Sequence, residues 1–171
     1  FESSVTIQNS IFANNRSTGI HLTNQAVGDV THCTFANNEG SALVINRDSR
    51  ALIANSAFAS NRSYAITVSR QAAEASIQNN LFWANAGVYT DSIERRFFSV
   101  LGFNALPNAN GNFSGNPRFV DSELDNVRLH PLSACIDRAL PDYAPDDDFD
   151  GTSRPQGPQS DVGAFEAIVA P

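Results

Sequence analysis

The chain has no lysine, two cysteines, one tryptophan and no proline before Pro107. Each shortage excludes something. Eleven arginines stand against eighteen acids, for a net charge of −7. A surface of that balance cannot follow a phosphate backbone, so nucleic acid is excluded as the partner. No apolar run approaches the roughly 18–20 residues that a bilayer-spanning helix needs, so no membrane span is expected. Cys33 and Cys135 lie 102 residues apart with no metal-ligand spacing around them. That leaves two states open, a disulfide or two buried thiols. The absence of proline from the first part permits uninterrupted strand ladders. Helical spacing is absent between Phe1 and Asn85, and so are the closely set leucines of a leucine-rich repeat.

What is present is a period. Phe12, Phe35, Phe58 and Phe82 are 23, 23 and 24 residues apart, and each is followed three residues later by an asparagine: Asn15, Asn38, Asn61 and Asn85. Five residues before each Phe stands Ile7, Val30, Ile53 or Ile77, and three before it Asn9, His32, Asn55 or Asn79. Eight residues after the first three come the apolar pairs Ile20/Leu22, Leu43/Ile45 and Ile66/Val68. Both stretches alternate with period 2, which is strand and not helix. Short strands repeating at a fixed interval, each copy burying its apolar side only by stacking on the next, form a solenoid. The fold class expected is all-β: a right-handed parallel β-helix of about 23-residue rungs with an irregular Pro/Asp-rich C-terminal cap. Rungs are expected over residues 1–104 and the cap over 105–171, packed on the coil as one unit.

Stacking at about 4.8 Å turns each column into a ladder of like side chains. The Phe column becomes an inward spine, and the Asn15/Asn38/Asn61/Asn85 column a turn ladder of amides. Arg16, Glu39 and Arg62 then alternate in charge along the surface. Three glycosylation sequons begin at Asn15, Asn61 and Asn112, and two of these asparagines belong to the ladder. An uncapped first rung is an open sheet edge, which implies upstream rungs or a second copy of the chain against it.

The period fades after Asn85, where Ser99–Asn104 reads as a last shortened rung. The acidity begins later: residues 117–171 hold eleven acids and four arginines, whereas 1–116 balance at seven each. Four blocks occur in order: Asn116-Pro117-Arg118-Phe119-Val120-Asp121; Arg128-Leu129 through Ser133-Ala134-Cys135-Ile136-Asp137; Asp148-Phe149-Asp150-Gly151-Thr152-Ser153-Arg154-Pro155; and Asp161-Val162-Gly163-Ala164-Phe165-Glu166. From about Gly115 to Glu166 they resemble the C-terminal end of secreted bacterial β-helix proteins of the pectin-lyase-like superfamily, in particular a choice-of-anchor type of domain. The chain departs from that pattern at Ala134, where proline is usual, and at Arg138-Ala139, where glycine is. The resemblance implies an extracellular or cell-surface location. It leaves activity open, because one fold of this kind serves lyases, hydrolases and adhesins.

Three groups of residues carry candidate chemistry. Asp146, Asp148 and Asp150 with Gly151 satisfy D-x-D-x-D-G, the opening of an oxygen-rich calcium loop. The twelfth position is Gly157 and not a bidentate Glu, so calcium competes with an acidic turn paired to Arg154. Asp91, Glu94, Arg95 and Arg96 form a charge cluster near the coil. An arginine base beside a uronate-neutralising group would suit a polysaccharide lyase, and the paired carboxylates a glycosidase. Neither arrangement repeats a family motif, and a charged loop where the coil loses its period is the reading preferred for them. Outward positions of the second strand, His21, Thr67 and Tyr89 with Asn46, Arg47 and Arg70 beside them, make a flat polar face suited to a polysaccharide or cell-surface glycan lying across rungs. Phe165 is expected to plug the end of the apolar bore. The expected role is structural, adhesive or carbohydrate-contacting, without catalysis in this segment. The alternative is the C-terminal part of a lyase or glycoside hydrolase acting on acidic glycans.

Overall fold

A computed structural model describes residues 3–69, 74–93 and 95–168. Three parallel sheets wind into the coil. Sheet A stacks Ser3–Gln8, Ala26–Thr31, Arg50–Ala54, Glu74–Gln78 and Ala109–Asn110 in sequence order. Sheet B stacks Ile11–Ala13, Thr34–Ala36, Ala57–Ala59, Leu81–Trp83 and Phe113–Ser114. Sheet C stacks Ile20–Leu22, Leu43–Ile45, Tyr64–Val68 and Gly87–Thr90, and ends on Arg96–Phe97, which runs antiparallel. The repeat unit read from the sequence is therefore one turn of the coil, and its register is exact: Phe12, Phe35, Phe58 and Phe82 are direct partners. Their rings stack at 5.0, 4.8 and 5.2 Å, within 12° of parallel.

The coil ends differently from the expected shortened rung. Val100–Phe103 is one helical turn. The last strands of sheets A and B come after it, at Ala109–Asn110 and Phe113–Ser114. Phe103 turns its edge to Phe82 at 5.9 Å and stacks on Tyr89 at 5.0 Å, so with Phe97, Val100 and Leu106 it closes the bore.

Sheet B has a corner at each side, and both corners require a left-handed backbone. Asn9, His32, Asn55 and Asn79 (φ 47–54°) precede it; Asn14, Asn37, Ser60 and Ala84 (φ 51–56°) follow it. Asparagine tolerates this region better than other residues with a Cβ, which explains its recurrence at both corners. The amide ladder forms as the period implies. Asn15, Asn38 and Asn61 each donate backbone N–H and side-chain Nδ2 to Oδ1 of the next asparagine up the stack. Nδ2 of Asn38, Asn61 and Asn85 also donates to the carbonyls of Phe12, Phe35 and Phe58. A second ladder at the opposite corner (Cys33, Ser56, Asn80, Asn112) has no counterpart in the sequence reading. The sequon residues Asn61 and Asn112 are thus buried and committed.

The tail is a lateral lid and not an end plug. After an antiparallel pair (Phe119–Asp121 with Asn126–Leu129) it runs over the outer face of sheet B. Ala57 and Leu81 pack there on Cys135, Ala139 and Val162; Ala36 packs on Val127, Ala164 and Phe165. Phe165 therefore lies beside the coil, away from the bore. It goes there because sheet B presents alanines outward, and a face of small apolar residues is buried only by a flush cover. The corner asparagines clip the cover down. Asn9 donates to the Asp147 carbonyl, Asn79 to Arg138 and Asn37 to Ser122, while Asn14 donates to the Asp125 carboxylate. Asn55 both donates to the Leu140 carbonyl and accepts from its N–H, at 2.8 Å each. Gly163 (φ 103°) approaches so closely that a Cβ would lie 2.9 Å from Thr34 Oγ1.

Within the lid sits a buried charged knot. Arg154 bonds Glu166 at 2.7 Å and the carbonyls of Asp161 and Gly163 at 2.9 and 2.8 Å. Burial, aided by the Arg154 charge, lowers His32 to about 3. Burial raises Asp161 to about 6 against the pull of two backbone N–H donors. Cys33 and Cys135 are free thiols in separate clusters, each pushed by burial up to about 12.

Candidate functional site

The outer face of sheet C holds most of the residues expected to meet a glycan, and several of their polar groups bond one another. His21 Nε2 and Asn46 Nδ2 are 2.8 Å apart, Arg47 donates to Asn24 Oδ1 at 3.1 Å, and Thr67 and Ser41 share a hydrogen bond of 2.9 Å. Arg70 lies outside the described residues. Tyr89 does not belong to this face. It pairs with Ile66, is 3% exposed and points into the core, with Thr90 opposite Thr67 in its place. The cause is a missing residue. Six positions separate Phe58 from Tyr64, but five separate Phe82 from its partner Gly87, which reverses the parity of that strand. Gly87 is required there, since a Cβ would meet the Tyr64 ring at 2.3 Å. Burial then raises the Tyr89 phenol to about 12, with Asp91 adding to the shift.

The charge cluster becomes a hairpin closed on itself. Asp91 accepts the N–H groups of Ile93 and Arg95 and holds the Arg95 guanidinium through Nε at 2.6 Å and Nη2 at 2.5 Å. Arg96 is exposed opposite Thr90, and Glu94 lies outside the described residues. A cavity of about 280 Å³ adjoins Asp91, Arg95 and Asn108. The carboxylate beside it is already fully engaged by the turn that carries it.

The acidic run does not converge as a calcium loop would. Asp148 accepts the N–H groups of Asp150, Thr152 and Glu166, at 2.8 Å each. Asp150 takes a two-pronged bond from Arg128, at 2.9 and 2.8 Å. Among the described residues no three His, Cys, Asp or Glu side chains gather around a point where an ion could sit. Asp146 is near Arg154 only through backbone, its carbonyl accepting the Arg154 N–H at 2.7 Å. Arg154 itself is drawn to Glu166, which the sequence reading had not paired with it. Backbone donors and arginines thus take the oxygens that a cation would need.

Two further depressions lie along the corner between sheets B and C. Over the first three rungs a polar depression of about 500 Å³ is bounded by Asn14, Asn37 and Ser60 on the coil, the Glu39–Arg62 ion pair (3.5 Å) and Ser122 and Glu123 of the lid. At the fourth rung, on the same corner, follows an aromatic depression of about 370 Å³. Trp83 forms one wall, 39% exposed, where the preceding rungs carry Ala13, Ala36 and Ala59. Phe98 (70% exposed) and Leu101 (88%) stand with it, and Asn85, Ser99 and Ser114 provide polar groups. Nothing in the period points to this place. The one available signal was that Trp83, the single tryptophan, interrupts a column of alanines.

The family model described as right handed beta helix region matches residues 1–127, which covers every rung. The chain belongs to the right-handed β-helix family. No curated protein and no solved structure matches it. Within this right-handed β-helix the match runs past the last rung and ends at Val127, inside the second strand of the hairpin that opens the lid.

Proposed function

We propose that this β-helix segment is a non-catalytic carbohydrate-contacting module, working outside the cell or at its surface. The observation that carries the reading is the succession of two depressions, polar then aromatic, on one corner of the coil. A linear glycan lying parallel to the coil axis would cross one rung about every 4.8 Å and meet equivalent turns each time. The side-chain oxygens of Asn14 and Asn37, whose Nδ2 groups are taken by the lid, join the Ser60 hydroxyl and one ion pair as the groups that orient a sugar, with an aromatic face for its apolar side. The closed Asp91–Arg95 pair supports the non-catalytic half of the proposal. The surface location rests on the resemblance of the tail. Ser3–Gln8, paired on one side only among the described residues, would stack against further rungs or a second copy.

The test is retention of the purified chain on immobilised polysaccharides, neutral and acidic, beside a Glu39→Ala/Arg62→Ala variant. That exposed pair contributes no more than about 1 kcal/mol, so the variant keeps its fold. Retention of the parent, weakened at least about fivefold in the variant (about 1 kcal/mol), is expected. Absence of retention, or equal retention of both proteins, contradicts the reading. Release of unsaturated or reducing-end product from a retained polysaccharide contradicts its non-catalytic half.

A further inference from the structure

We infer that the depression at Trp83 is a subsite for an uncharged sugar ring, which makes neutral glycans and not uronates the ligands of this corner. The inference rests on the carbohydrate reading above and narrows it. The three preceding rungs carry alanine at the Trp83 position: Ala36 packs on the lid with Ala13 partly buried beside it, and Ala59 is buried. A tryptophan that stays 39% exposed does not serve that packing. Phe98 is held opposite by Tyr64, ring centroids 5.8 Å apart, so the second wall is braced from behind. An aromatic face offers the apolar side of a pyranose a stacking surface, and hydroxyls fix its orientation. Ser99 supplies one, since its side chain makes no bond to the turn that follows it. Ser114 supplies another: its hydroxyl donates to the Phe82 carbonyl at 3.1 Å and keeps its acceptor sites.

Charge decides the class of sugar. Among the described residues none that lines the depression is ionisable to a cation, so none of them would neutralise a carboxylate, sulfate or phosphate. The net charge of −7 adds a general repulsion against anions. A purely apolar partner, such as a hydrophobic peptide, would leave the two hydroxyls unanswered.

Trp83 is the single tryptophan, so its emission, excited to the red of tyrosine absorption, reports on this subsite alone. The experiment titrates the chain with neutral oligosaccharides (gluco-, manno-, galacto- and xylo-series), with oligogalacturonate and with an apolar peptide, while calorimetry records binding anywhere on the protein. A saturable blue shift with a neutral series is expected. At least a tenfold loss of affinity is expected in Phe98→Ala by fluorescence and in Trp83→Ala by calorimetry, with most affinity kept in Trp83→Phe and melting temperatures unchanged. Calorimetric binding of a saccharide that leaves the emission and the Trp83→Ala affinity unaltered overturns the subsite but leaves the carbohydrate reading standing. Preference for oligogalacturonate overturns the neutral assignment. A blue shift with the peptide alone makes this a protein-docking patch and overturns the inference. No response from any saccharide by either method overturns the inference and the broader reading together.

Discussion

Arg154 and Glu166 bond at 2.7 Å with side chains 0% and 1% exposed, and both belong to the lid rather than to the coil. The pair is what turns a proline-rich tail into a cover. Arg154 ties down two lid carbonyls, and Glu166 accepts the N–H groups of Gln156 and Asp161. Removing one charge of a buried pair leaves the other uncompensated, at about 3–5 kcal/mol. Glu166→Gln is therefore expected to lower the urea-unfolding free energy by that amount, and a further Arg154→Met change to restore part of it. A single variant within about 1 kcal/mol of the parent would show that the pair does not hold the lid.

Acid should weaken the seam between lid and coil through His32. Its folded value near 3 lies below the unfolded 6.5, so the unfolded chain takes the proton first and stability falls as pH drops between those limits. Asp161 acts in the opposite direction: raised from 3.8 to about 6, it binds its proton first in the folded state and adds stability on acidification across that range. The His32 range is the wider, and each pH unit inside it is worth about 1.4 kcal/mol. Replacing His32 by asparagine, the residue of the three equivalent corners, removes the larger contribution and leaves Asp161 alone. Melting curves from pH 7 to 4 should show the parent losing stability and His32→Asn holding or gaining it. Parallel losses in both proteins would remove His32 from the account.

The amide ladder and the surface charge ladder share a period but differ in burial. Asn61 accepts from the N–H and Nδ2 of Asn38 and donates to Phe35, all in the interior, and to the partly buried Asn85. Asn61→Ala strands several buried groups, each costing about 1–3 kcal/mol. Arg62→Ala, one residue on, gives up an exposed pair of less than about 1 kcal/mol. Chemical denaturation of the two variants should separate them by at least about 2 kcal/mol, and equal stabilities would refute the distinction.

Ala84 is the one corner residue of its column with neither an amide nor a hydroxyl, and it sits at φ 51° with its methyl exposed. A Cβ in that region is strained by about 1–2 kcal/mol. Ala84→Gly is therefore expected to raise stability by about 1 kcal/mol despite the added chain freedom. A lower thermal midpoint would mean that the methyl group has a packing role outweighing the strain.

Most of the coil was legible because stacking repeats each side chain: the Phe spine, the amide ladder and the inward pairs of sheet C are columns before they are contacts. The corners were not, since alternation stops where φ turns positive, and Asn9, Asn55 and Asn79 give no hint in sequence that they reach out to a lid. Parity failed at Tyr89 because one residue is absent from the fourth rung between Phe82 and Gly87. The path of the tail depends on contacts more than 80 residues apart, such as Asn55 with Leu140, which no local pattern encodes. The polar and aromatic depressions inherit that difficulty, being formed where lid, corner and terminal turn meet.

The most direct test of the glycan-binding corner is a backbone-amide NMR titration with the oligosaccharide that binds most tightly. Perturbed signals should cluster at Asn37, Ser60, Arg62, Asn85 and Ser99, along the corner between sheets B and C. Perturbation confined to His21, Val44 and Thr67 on the outer face of sheet C, or none at saturating ligand, would contradict the account.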